Sequence, residues 1–154
     1  MIFGVMPGNH SLDIVIPSYR LDESVLLNII QLQHPENWHV FIYIIVDNIE
    51  IAIPSSLQQF QREEKIHISV NAKNIGVSAS RNNGIRSGTS KWILFLDDDI
   101  IPDPLLLLAY AQAIEANTEA LGFVGVVDFP KPFNAATLAL EINGSITHFN
   151  MARQ

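Results

Sequence analysis

Lys91-Trp92-Ile93-Leu94-Phe95-Leu96-Asp97-Asp98-Asp99 runs straight from an unbroken apolar stretch into three adjacent carboxylates. A run this short and this apolar has the length of a strand covered on both faces. Just upstream, Gly76 to Gly88 reads as a helix of small residues. A strand after a helix is half of an α/β repeat, and the same alternation extends in both directions.

Leu12 to Ile16 reads as a short buried strand closed by Pro17, which cannot donate to a ladder. Asp22 stands where an N-cap belongs, and Val25, Leu26, Ile29, Ile30 and Gln33 follow at helical spacing until His34-Pro35. Val40 to Val46 is a β-branched run expected to be covered on both faces, and a weaker helix follows Pro54 through Leu57 and Phe60. Ile66, Ile68 and Val70 alternate with His67 and Ser69, the pattern of a strand nearer an edge. Pro102 and Pro104 open a further helix, and Phe123 to Phe129 is expected to form another strand before Pro130. The expected fold class is α/β, a mostly parallel sheet with helices on both faces, in a single domain over residues 1–154. Ligands of such sheets bind at the carboxyl ends of the strands, here after Ile16, Val46 and Leu96.

Composition narrows the classes. The 154 residues are 48% hydrophobic and only 16% charged, enough to close a globular core. Nine basic residues against 16 acidic ones leave a net charge of -7, which gives no general attraction to nucleic acid or anionic lipid. Cysteine is absent, so disulfides and thiolate metal sites are excluded. No signal peptide is evident, and no apolar stretch approaches the roughly 20 residues of a bilayer span. The expected location is cytoplasmic, with peripheral membrane association left open.

Each of the three strand ends carries polar chemistry. Three adjacent carboxylates repel one another, and a hard cation such as Mg²⁺ or Mn²⁺ relieves that penalty with oxygen ligands. Side chains at i and i+2 share a side, so Asp97 and Asp99 are expected to face one ligand and Asp98 to face elsewhere. The plainer reading is a solvated acidic loop extended by Asp103. Val77, Arg81 and Ile85 share one helical face, which places an arginine on an apolar stripe facing inward. Its fork suits phosphate oxygens, or an internal carboxylate such as the nearby aspartates. Asp47 suits the edge of a pyrimidine base or a simple turn, and Tyr19 suits base stacking or packing. The histidines (His10, His34, His39, His67 and His148) show no ligand spacing.

In this order the pieces resemble the N-terminal, nucleotide-sugar-binding half of family 2 glycosyltransferases, which have the Rossmann-like GT-A fold. The resemblance rests on Asp13 to Tyr19, Ile44 to Asn48, Asn74 to Ile85 and Ile93 to Asp99. The Arg-Asn-x-Gly-Ile helix followed by a strand and Asp-x-Asp is specific only in combination. The resemblance implies a metal-dependent, inverting transfer of a sugar from a UDP- or dTDP-sugar to a hydroxyl of a carbohydrate or lipid-linked acceptor. It places Pro17 and Tyr19 along the nucleotide, Asp47 at the base and Arg81 near the diphosphate or its anchoring carboxylates. It puts Asp97 on the ribose side and by the metal, Asp98 in the same donor-binding set, and Asp99 on the Mg²⁺ or Mn²⁺ itself.

Two departures qualify that picture. Asn48-Ile49-Glu50-Ile51 stands where the family has an acid or Asn, Gly-Ser and a further Asp. Nothing after Phe129 resembles an acceptor half with a catalytic base, so the chain is expected to be a fragment and no residue is assigned as the base. One alternative is a donor- or metal-binding module without transfer. Another is a phosphatase-like hydrolase with a nucleophilic Asp, although Ile100-Ile101 stands where that class has Thr or Val.

Overall fold

A computed structural model of the chain describes residues 10–128 and 131–142, which fall in two compact units, Met1–Ala116 and Asn117–Gln154. The first carries β1 (His10–Ser18), α1 (Glu23–Ile30), β2 (Trp38–Val46), α2 (Ser55–Arg62), β3 (His67–Val70), α3 (Val77–Ser87), β4 (Trp92–Phe95) and α4 (Leu106–Ala116). The four strands form one parallel sheet in the order β3-β2-β1-β4. The chain steps outward from β1 through β2 to β3, then crosses back to place β4 on β1's other side. That reversal opens a crevice beside β1 at the carboxyl end of the sheet.

Both faces of β1 are covered, because every residue from Leu12 to Ser18 is buried. Ile14 pairs with Ile42 on one side and Leu94 on the other. Asp13 is buried at the opposite end from the crevice, where its carboxylate accepts Ser90 N at 2.9 Å and Ser90 Oγ at 2.7 Å. A buried charge needs such partners, and these tie the entry of β4 to β1. Asp22 caps α1 as expected, accepting Ser24 N at 3.0 Å and Val25 N at 3.3 Å.

The inward face of α3 differs from the expected stripe. Ser80 and Gly84 are its buried residues, whereas Val77 and Ile85 are exposed and Arg81 is half-buried. Closeness is the reason: a Cβ on Gly84 would overlap the Val15 side chain, so the helix lies nearer the sheet than a larger residue permits. Small residues therefore face the sheet, and Val77 and Ile85 are left exposed.

Two strands are also less covered than expected. β4 is an edge strand among the described residues, with Ile93 and Phe95 exposed. β2 is buried from Ile42 to Val46, but Phe41 is exposed. In the second unit, α5 (Ala135–Ile142) follows Asn134, whose side chain accepts Thr137 N at 2.8 Å. The strand expected over Phe123–Phe129 is not formed across 122–128, and Phe129 lies outside the described residues. Alternating apolar side chains define a strand only where a neighbour supplies the ladder, and Val124 and Val126 stand exposed instead.

Candidate functional site

The crevice holds a cavity of about 340 Å³. β1 and the loop after it contribute Pro17, Ser18 and Tyr19, β2 leads into Asp47, α3 brings Val77 and Arg81, and β4 leads into Asp97, Asp98 and Asp99. All seven positions singled out in the sequence therefore line one cavity. Charge there is lopsided, with four carboxylates against one guanidinium.

The loop after β1 is held from two sides. Ser18 is buried; its hydroxyl donates to Asp98 Oδ2 at 2.6 Å and accepts Leu21 N at 3.0 Å. Asp98 Oδ2 also accepts Tyr19 N at 3.2 Å and Arg20 N at 3.4 Å. From β2's end, Asn48 Nδ2 donates to Tyr19 O at 3.3 Å. Leu21 takes a left-handed φ of 49°, and its burial helps offset that strain. Tyr19 remains 54% exposed.

Asp47 is buried and its carboxylate is heavily used. Oδ1 accepts Asn71 Nδ2 and Ile75 N, each at 2.9 Å, and Oδ2 accepts Gly76 N at 2.7 Å. Gly76 is the N-cap of α3 at φ 85°, a conformation that suits glycine. Burial alone pushes the Asp47 carboxyl upward, but hydrogen bonds from Ile75, Asn71, Gly76 and Ser80 outweigh it and hold the group below the ordinary value. Asp47 is thus the clamp that brings the start of α3 to the sheet.

Asn71 extends the clamp. Its Nδ2 also donates to Ser80 Oγ at 2.9 Å, and its Oδ1 accepts Asn83 Nδ2 at 3.0 Å. Neither Asn71 nor Ser80 stood out in the sequence. Asn71 directly follows β3, so the strand-end rule extended to a fourth strand points to it.

Arg81 Nη2 donates to Asp97 Oδ1 at 2.5 Å, with the two side chains 33% and 52% exposed. Its Nε is buried and has no acceptor among the described residues. Asp97 and Asp99 are exposed and Asp98 half-buried, but the triplet lies in the turn beyond β4, so strand alternation does not apply and Asp98 lines the same cavity as its neighbours. Asp97 is paired with Arg81 and one Asp98 oxygen is taken up by the loop, while Asp99 carries no hydrogen bond or ion pair among the described residues. Among those residues no three acidic or histidine side chains cluster to hold a cation unaided. This donor set fits Mg²⁺ or Mn²⁺ only in the manner of a cation that takes one or two carboxylates and completes its shell from a bound phosphate.

A parallel sheet with its cavity at the switch between β1 and β4 defines a Rossmann-like α/β protein. The profile of glycosyl transferase family 2 matches residues 13–152, and the chain belongs to that family. Membership separates it from phosphatase-like hydrolases. Two similar solved structures are S. aureus TarS 1-349 and S. aureus TarS 1-349 in complex with UDP, each at 15% identity with a TM-score of 0.61. TarS 1-349 in complex with UDP-GlcNAc aligns at 16% identity with a TM-score of 0.58. These likenesses support the GT-A fold. The chain spans 38% of the length of the first two and is itself covered to 77%. No curated protein matches.

Proposed function

We propose that this chain carries the donor site of a glycosyltransferase that uses a nucleotide-sugar of the UDP or dTDP type with Mg²⁺ or Mn²⁺. The observation that carries this reading is the convergence of an exposed aromatic, a half-used guanidinium and an unpaired carboxylate on one cavity. Tyr19 offers a stacking face for the base beside Pro17, and Asp47 lines the same cavity. Arg81 has spare N–H donors for diphosphate oxygens. A diphosphate entering a cavity with four carboxylates meets net repulsion, so Asp99, with Asp97 beside it, would hold a cation between the two anions. When bound, that cation acts as a Lewis acid and neutralises charge on the departing diphosphate.

The reaction we propose is an inverting displacement. An acceptor hydroxyl attacks the anomeric carbon, its proton passes to a base, and the bond from that carbon to the diphosphate breaks. The TarS complexes with UDP and UDP-GlcNAc support a uridine donor here by analogy of fold alone. A carbohydrate or lipid-linked acceptor and a cytoplasmic location, with peripheral attachment to a membrane, belong to the same proposal. Among the described residues no helix is long and apolar enough to cross a membrane.

Titration calorimetry of UDP into the protein, with and without Mn²⁺, tests the reading. Binding should require or be strengthened by Mn²⁺, and Asp99→Asn should weaken it about tenfold or more while leaving the ligand-free melting temperature unchanged. Unaltered Mn²⁺-dependent binding by Asp99→Asn would remove Asp99 from the metal's shell. No binding of UDP or dTDP under either condition would sink the donor assignment.

A further inference from the structure

We propose that Asp98 is a positioning residue that latches the Tyr19 loop to the end of β4, so that the stacking face and the acidic strand end move as one body; the inference rests on the donor-site reading above. A single oxygen carries the latch. Asp98 Oδ2 accepts the Ser18 hydroxyl, Tyr19 N and Arg20 N, donors from three consecutive residues about 80 positions away in sequence. A contact of that span is no local turn. It joins the ends of two strands that also pair with each other.

The bonds divide the acidic triplet by task. An oxygen already accepting three donors has no lone pair left for a cation, so Asp98 has only Oδ1 to offer the cavity. Asp97 faces Arg81, and Asp99 is unpaired among the described residues. Of the three carboxylates, Asp98 alone is tied to the loop.

The consequence falls on Tyr19. Its N–H is held by Asp98 and its carbonyl by Asn48, while its ring lies open on the cavity wall. With the backbone pinned at both ends, only the side-chain torsions remain to be fixed when a base lands. Ordering the loop on binding would otherwise subtract from affinity. A latched loop has met that cost on folding, so losing Asp98 should weaken nucleotide binding without any direct contact being lost.

Four variants of the full chain test this: Asp98→Ala, Asp98→Asn, Tyr19→Ala and Asp98→Ala with Tyr19→Ala. Two readouts are needed, UDP affinity with and without Mn²⁺ and hydrogen exchange at the Tyr19 and Arg20 amides. In Asp98→Ala those amides should exchange about tenfold faster or more. UDP affinity should fall by a similar factor in both metal conditions, and the double variant should lose no more than the worse single one. Asp98→Asn, which keeps an acceptor oxygen, should recover part of both effects, and it serves where the alanine variant fails to fold. A loss confined to Mn²⁺-containing solution and additive with Tyr19→Ala would make Asp98 a metal ligand and overturn the proposal. Unchanged amide exchange in a folded Asp98 variant overturns it as well. If the unsubstituted chain binds no UDP, the donor reading fails and amide exchange alone decides the latch.

Discussion

Replacing Arg81 separates two roles that a static ion pair cannot. The Arg81–Asp97 contact is a single hydrogen-bonded bridge between side chains 33% and 52% exposed. Solvent screens such a pair, so its contribution to stability is about 0–1 kcal/mol. For a domain of this size that is roughly 2–4 °C of melting temperature at most. A diphosphate oxygen on the same guanidinium is a different matter, because a hydrogen bond between charged groups contributes about 1.5–3 kcal/mol. Its loss corresponds to roughly a 10- to 150-fold weaker Kd. Arg81→Met should therefore hardly move the ligand-free melting temperature and should weaken Mn²⁺-dependent UDP binding by that factor. Arg81→Lys keeps the charge without the fork and should fall between the two. Arg81→Met also leaves the Asp97 carboxylate without its counter-charge, so Mn²⁺ alone should bind more tightly than it does to the unsubstituted chain. Calorimetry of Mn²⁺, of UDP and of both together, with a thermal melt for each protein, reads every arm. A fall of many degrees in melting temperature with UDP affinity unchanged would show that Arg81 serves only as internal charge balance.

Two further substitutions probe the frame around the cavity. Gly84→Val forces a branched side chain against Val15 and should destabilise by about 1–3 kcal/mol, visible as a lower denaturant midpoint. Asp47→Ala takes the acceptor from the part-buried Ile75 amide and leaves Gly76 N only Asn74 Oδ1 at 3.1 Å, so it should destabilise by about 1–3 kcal/mol for the donor left unpaired. Because the native Asp47 carboxyl sits below its ordinary value of 3.8, its stabilisation is complete above that pH and is lost as the pH falls beneath it. Asp47→Asn should accordingly flatten the acid limb of the stability–pH curve, and an unchanged limb would contradict the clamp.

Much of this architecture was legible in the residues. β-branched runs marked β1 and β2, Asp22 announced α1, and Gly76 and Gly88 bracketed α3, each through a local preference that tertiary packing reinforces. The strand-end rule pointed to Pro17, Tyr19, Asp47 and the acidic triplet, which line one cavity, and Arg81 joins them from α3. Other features were hidden for identifiable reasons. Periodicity put Val77, Arg81 and Ile85 against the sheet, but proximity favours Ser80 and Gly84, and hydrophobicity scales say nothing about closeness. Apolar content alone made β4 look covered, although coverage depends on neighbours that a strand's own residues do not name. The occupation of Asp47 depends on backbone amides at Ile75 and Gly76, which every sequence possesses and none advertises.

The crossing from β3 back to β4 also has a kinetic meaning. β1 and β2 lie close in sequence and their ladder can close early, whereas the ladder between β1 and β4 encloses every element from α1 to α3 in its loop. Closing long loops costs entropy before any contact repays it, so pairings of this kind slow folding. Until β4 docks, Ser18 lacks Asp98, Arg81 lacks Asp97 and the cavity has one wall missing. A nucleotide that needs all its walls binds only after that event, so at saturation it should retard unfolding and leave the refolding rate untouched.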